Sequence, residues 1–167
     1  MTIAMQPIYT QTLSGAAASV TFNNIPQTFT DLKVVISARS SDSTGQGTIM
    51  RFNGSTTTYS NTYLFANGSS ASSSRLTYNY VGSIFGTNGT ANTFNNTEIH
   101  IPNYTGSSFK ASLCENTAAN NNTLGYLNLL ANLWRSTDAI TSISFLVDGG
   151  SNFVQHSTFS IYGITKG

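Results

Sequence analysis

Leu32-Lys33-Val34-Val35-Ile36-Ser37-Ala38-Arg39 alternates with a period of two. Leu32, Val34, Ile36 and Ala38 fall on one side, and Lys33, Val35, Ser37 and Arg39 on the other. Successive side chains of a strand point to opposite faces, so the stretch reads as a β-strand with one buried side. Just upstream, Asn23-Asn24-Ile25-Pro26 is a polar break. Pro26 has no amide proton and restrains Ile25 to an extended conformation, which suits entry to a strand. Asp31 can accept backbone amides at the strand start.

The same period recurs along the chain. Leu76, Tyr78 and Tyr80 share a face in Arg75 to Ile84, and Ile99 and Ile101 lie opposite Glu98 and His100. Ile143, Phe145 and Val147 alternate with Ser142, Ser144 and Leu146, and Phe159 and Ile161 with Ser160, Tyr162 and Ile164. Asn53-Gly54, Asn67-Gly68, Asn88-Gly89 and Asp148-Gly149 are dipeptides that tolerate positive φ and punctuate the runs. About ten short strands between turn signals predict an all-β fold, an antiparallel β-sandwich of jelly-roll-like type. Leu124 to Arg135 carries two patterns. Leu124, Leu127, Leu130 and Leu133 suit a helix stripe, whereas Tyr126, Asn128, Leu130, Asn132 and Trp134 suit a strand. Gly125, Asn128 and Asn132 are poor helix formers, which favours the strand. Ser69 to Ser74 and Asn116 to Thr123 read as polar loops.

The 167 residues suffice for one domain, 1–167, with residues 1–9 expected as an N-terminal arm. Only 8% of residues are charged, against about 25% in an ordinary domain. Ser, Thr and Asn supply 65 residues, so hydroxyls and amides must do the solvation that Lys and Glu usually do. A net charge of +1 offers no basic footprint for nucleic acid. No apolar run of about 18 residues is present to span a membrane as a helix. Met1 to Thr10 has neither Lys nor Arg nor an apolar core, so no signal peptide is expected there. One cysteine, Cys114, allows no internal disulfide. With 19 aromatic residues the chain has the material for a core, which argues against disorder.

Catalytic patterns are sparse. Glu98 and Glu115 are the carboxylate pair that could face each other across neighbouring strands, as glycoside hydrolysis requires. The plainer reading makes them half-exposed strand residues, paired with Lys110 or Arg75. No Gly-x-Ser-x-Gly elbow marks a nucleophile, and His100, between Ile99 and Ile101, reads as a hydrogen-bonded strand residue or a contact residue. Cys114 reads as a buried small side chain. No catalytic residue, metal site or cofactor is expected. Tyr59, Tyr63, Tyr78, Tyr80, Tyr104, Tyr126 and Trp134 suit a core or a subunit interface, and alternatively a sugar-stacking surface.

A low-charge, hydroxyl-rich β domain suits a protein displayed in many symmetric copies, where repeated like charges would repel. A homotrimer is the oligomer expected. Phe22 to Ser40 as a whole resembles a stretch that recurs in small structural proteins of tailed bacteriophages, including phages of cyanobacteria and other aquatic bacteria. Arg51-Phe52-Asn53-Gly54 with Tyr59-Ser60, Ile99-His100-Ile101-Pro102-Asn103-Tyr104, and Phe159-Ser160-Ile161-Tyr162-Gly163-Ile164 are similar to the same group. The resemblance implies a β-sandwich virion component of the head or tail, assembled in the host cytoplasm, with no catalytic residue to carry over. The expected function is capsid decoration: a cement protein bound to the major capsid protein or another virion protein. The alternative is a tail or receptor-binding module for a host glycan. Met5, Pro7 and Ile8 of the arm, with Arg39, Tyr78 and Tyr80, are the candidate assembly residues. Arg39 is expected to pair with a carboxylate or reach a neighbouring subunit, and Tyr162 to anchor its hydroxyl in a loop.

Overall fold

The alternating stretch is one strand of twelve. A computed structural model describes residues 5–165. The strands are β1 (Met5–Thr12), β2 (Ser19–Phe22), β3 (Asp31–Ala38), β4 (Gln46–Phe52), β5 (Tyr59–Ala66), β6 (Ala71–Leu76), β7 (Tyr80–Ile84), β8 (Asn95–Ile101), β9 (Lys110–Ala119), β10 (Gly125–Trp134), β11 (Ile143–Val147) and β12 (Thr158–Ile164). They form an eight-stranded sheet in the order β1-β12-β3-β8-β9-β10-β5-β6 and a four-stranded sheet in the order β2-β11-β4-β7. Every pairing is antiparallel.

The pairings nest. β5 pairs with β6, β4 with β7, β3 with β8 and β2 with β11. A long ribbon folded on itself and rolled into two sheets gives this order, which is the winding of a jelly roll. The hairpin β9–β10 is inserted between β8 and β5, and β12 and β1 extend the large sheet beyond β3. The expected all-β antiparallel sandwich is therefore the fold.

Several expected elements differ in extent. Arg75 to Ile84 is two strands rather than one, because β6 and β7 belong to opposite sheets and the chain crosses between them at 77–79. Ser72, Ser73 and Ser74 lie in edge strand β6, where serines need supply only a backbone ladder. Asn116 to Ala119 ends β9, so the loop there is shorter than its composition suggests. Within 124–135, Gly125–Trp134 is the strand β10. Residues 5–9 of the expected arm are part of β1, paired with β12 of the same chain; residues 1–4 lie outside the described residues.

The core between the sheets is apolar at one end and amide-rich at the other. Phe145 and Phe159 stack at 5.5 Å, with Phe153 edge-on to Phe159 at 4.9 Å. Phe52, Tyr59 and Trp134 form a second aromatic group. Tyrosine hydroxyls reach loops, but not from Tyr162. Tyr9 donates to the carbonyls of Asn23 and Asn24, and Tyr104 to that of Pro26.

Strand β7 is the edge of the small sheet, and that edge lies over β9 and β10. Its outward backbone groups are therefore buried and need partners. Asparagines of the large sheet provide them. Asn116 Oδ1 accepts from Ser83 N at 2.9 Å while its Nδ2 donates to Ser83 O at 3.0 Å. Asn61 and Asn132 both donate to Tyr80 O, and Phe85 N donates to Asn95. Asn128 donates to Asn116 Oδ1 at 2.8 Å, linking the amides to one another. Gly82 has φ of +137°, and a Cβ there would overlap the Asn116 side chain. The glycine lets the amide lie flat against β7.

The 40–45 loop is tied down by one carboxylate. Asp42 accepts from Thr44 N and Thr44 Oγ1, both at 2.8 Å, and from Ser151 Oγ at 2.9 Å. These hydrogen bonds, the Thr44 hydroxyl first, hold its carboxyl well below the ordinary value of 3.8.

Asn116→Ala strips Ser83 of both partners and is expected to cost about 3 kcal/mol or more in urea denaturation. Asp42 gives a pH test. A carboxyl whose pKa is depressed in the fold stabilises above its unfolded pKa, and that stability is lost as the pH falls through the folded value. The melting temperature is expected to fall below about pH 4, and more shallowly in Asp42→Asn.

Candidate functional site

The six candidate assembly residues do not converge. Met5 and Pro7 sit on edge strand β1, exposed. Ile8 occupies the irregularity between Pro7 and Tyr9 and packs on the core. Arg39 is buried, and its expected carboxylate or subunit contact is replaced by three carbonyls of its own chain. It donates to Thr90 O at 2.6 Å, Gly89 O at 2.9 Å and Thr93 O at 3.3 Å, which fixes the loop between β7 and β8. Tyr78 donates to Asp148 Oδ2 at 3.3 Å, and burial first, then that charge, pushes its pKa up. Tyr80 lies edge-on to Tyr63 at 5.7 Å, and burial pushes its hydroxyl up to about 12. Arg39, Tyr78 and Tyr80 are thus engaged within the fold.

The other aromatics follow suit. Tyr59, Tyr104 and Trp134 are core residues, and the Tyr126 ring stacks on Phe85 and tilts against Phe65, both at 5.1 Å. Cys114 is buried, which pushes its thiol up to about 12 and away from reactivity. Lys110 is also buried. Its ammonium donates to Gly106 O and Ser108 O, both at 2.6 Å, and desolvation lowers its pKa.

The surface left to interact is the outer face of the eight-stranded sheet. Leu64 is 56% exposed, Leu127 55%, Leu113 47% and Leu129 41%. Strand register gathers them. Leu129 of β10 is opposite Leu64 of β5 on one side and Glu115 of β9 on the other. Leu113 faces Ala131 in the row on one side, and Leu127 faces Thr117 and Ala66 in the row on the other. A hollow of about 400 Å³ shares Leu127 with one of about 600 Å³, Leu127 and Leu129 with one of about 430 Å³, and Glu98 and Glu115 with one of about 330 Å³, so the four adjoin.

Sequence reasoning set Tyr126, Asn128, Leu130, Asn132 and Trp134 on one strand face but assigned nothing to the leucines opposite. Trp134, Leu130 and the asparagines point inward, which turns Leu127 and Leu129 out. The phase of Trp134 against Leu127 and Leu129 was the available signal.

Glu98 and Glu115 are direct partners across β8 and β9, on this same outer face. Glu98 pairs with Lys33 at 2.7 Å, not with Lys110 or Arg75. His100 Nε2 is 3.4 Å from Asp31 Oδ2, and Asp31 also accepts the backbone amide of Asn103 at 2.9 Å. Among the described residues, Glu115 and Arg75 form no ion pair. No group of three or more His, Cys, Asp or Glu that could hold a metal ion occurs among them. Comparison of the chain with protein-family models, curated proteins and solved structures finds no match in any of the three.

Two like charges placed directly opposite on antiparallel strands repel. Glu115→Gln is therefore expected to stabilise the protein by a few tenths of a kcal/mol, about 0.3–0.5, in urea denaturation at low salt. The gain is expected to fade at high salt.

Proposed function

We propose that the protein is a non-catalytic assembly protein of a bacteriophage virion, decorating the capsid surface and strengthening contacts between capsomers. The observation that carries this reading is the broad sheet face bearing four exposed leucines. Exposed apolar surface gathered in one patch marks an interaction site more often than a catalytic one. The resemblance of Phe22–Ser40 and of the later strands to phage structural proteins supplies the setting.

The mechanism is additive. Each copy contributes a modest interface, and many copies on a repeating shell together resist expansion. A surface solvated by hydroxyls and amides suits dense packing, since neighbouring copies bring few like charges together. The fold is rigid where such a role needs it, with both sheets locked by the asparagine contacts to β7.

A second reading is a tail module that holds a host glycan. It is favoured by one feature: the hollow of about 600 Å³ whose lining includes Asn96, Asn121 and Thr117, with amides and a hydroxyl that match sugar hydroxyls.

The test is to add the purified protein to shells lacking it and image them by electron cryomicroscopy. Regular density on the shell, with a higher temperature of shell rupture, is the expected result. Density confined to the tail favours the glycan module, and no density on either removes the virion role.

A further inference from the structure

We propose that the leucine-bearing half of the outer sheet face pairs with a second copy of this chain, face to face, about a two-fold axis running between β10 and β5. The inference rests on the reading of this face as an assembly surface and names its occupant.

The register makes the face self-complementary. A two-fold axis parallel to the strands and midway between β10 and β5 exchanges β10 with β5 and β9 with β6, keeping each residue in its row. Leu129 and Leu64 are row partners, so Leu129 of one copy meets Leu64 of the other, twice. Leu127 meets Ala66 in the same way. Thr62 pairs with Arg75 and Ala131 with both Thr62 and Leu113, so Leu113 lies under the aliphatic stem of the other copy's Arg75. Sheets packed in this manner lie about 10 Å apart with strands within about 30° of each other, so side chains of this size fill the gap.

Charge agrees with shape. Arg75 is exposed on β6, and Glu115 is exposed on β9; neither forms an ion pair among the described residues. Within one chain, β10 and β5 separate their strands. Across the axis Glu115 lies over Ser73, one row from Arg75. That offset is two residues, about 7 Å along the strand, which an arginine side chain spans. The symmetry makes two such pairs. Each Glu115 gains a cation that its own chain places out of reach, which offsets its repulsion from Glu98.

Size sets the strength. Four strands at about 4.8 Å spacing and six residues at about 3.3 Å project to roughly 400 Å². Accessible surface on a face studded with side chains exceeds its projection, but it stays at the low end of the roughly 800 Å² per partner of a standard interface. An interface of that size belongs to the weak, reversible class.

Sedimentation equilibrium tests the proposal, with wild type, Arg75→Glu, Glu115→Arg and the double exchange. Wild type is expected to reach twice the 17.8 kDa chain mass at about 100 μM. Each single exchange sets like charges against each other and is expected to weaken the dimer about tenfold or more; the double exchange restores it. Circular dichroism confirms that the variants fold. A monomer at every concentration, a trimer, or a dimer indifferent to the exchanges overturns the proposal. Adding the same proteins to the shells separates the two readings. A monomer that still decorates shells ends the self-pairing and keeps the virion role. A dimer that responds to the exchanges but ignores shells does the reverse.

Discussion

The sandwich depends on how strand β7 is satisfied. A jelly roll closes two sheets over each other, and the last strand of the small sheet lies over the middle of the large one. Water cannot reach its free edge, so its backbone polar groups must find partners or cost free energy. Asn61, Asn95, Asn116 and Asn132 supply side-chain amides in place of a neighbouring strand. An amide carries both a donor and an acceptor, as a peptide group does, which explains why asparagine rather than aspartate stands there. The requirement reaches into β7 as well, since only a glycine at position 82 leaves room for Asn116.

This arrangement bears on the composition. Much of the Ser, Thr and Asn content is tied up in hydrogen bonds that join strands and close loops, at the surface as well as inside. Thr10 with Ser160, Thr12 with Thr158 and Thr21 with Ser144 join adjacent strands by hydroxyl contacts of 3.0–3.1 Å. Loops close through the same chemistry: Asn53 Oδ1 accepts from Thr141 N and Ser142 N, and Asn120 Oδ1 from Asn122 N and Leu124 N. Neutral groups can be placed at these points without the desolvation cost of ions. Few salt bridges are then needed, and those present lie on the outer face of the large sheet.

The strand class and the sandwich were legible in the sequence, because alternation such as Leu32–Ala38 and Ile143–Val147 survives wherever one face is apolar. Elsewhere that signal weakens. In β10 the strand itself was legible, but asparagines share the inward face with Leu130 and Trp134 and so hide which side is buried. In β6 both faces are polar, and in β1 the mixture of Pro7 and Gln6 suggests an arm. Arg39, Tyr78 and Tyr80 were plausible interface residues by type, yet local partners consume them. Cross-strand placement of Glu98 against Glu115 was foreseen; the leucine cluster beside them required the register, which depends on contacts far apart in sequence.

The pairing of β1 with β12 carries a mechanical consequence. Met5 lies opposite Ile164, so the two ends of the described chain meet at one corner of the sheet. Tension applied between those ends would open the β1–β12 ladder bond by bond, as a zipper opens, beginning at that corner. A load spread over the broad face instead bears on all eight strands at once. The molecule is thus weak to a tug on its tails and strong under a push on its flank.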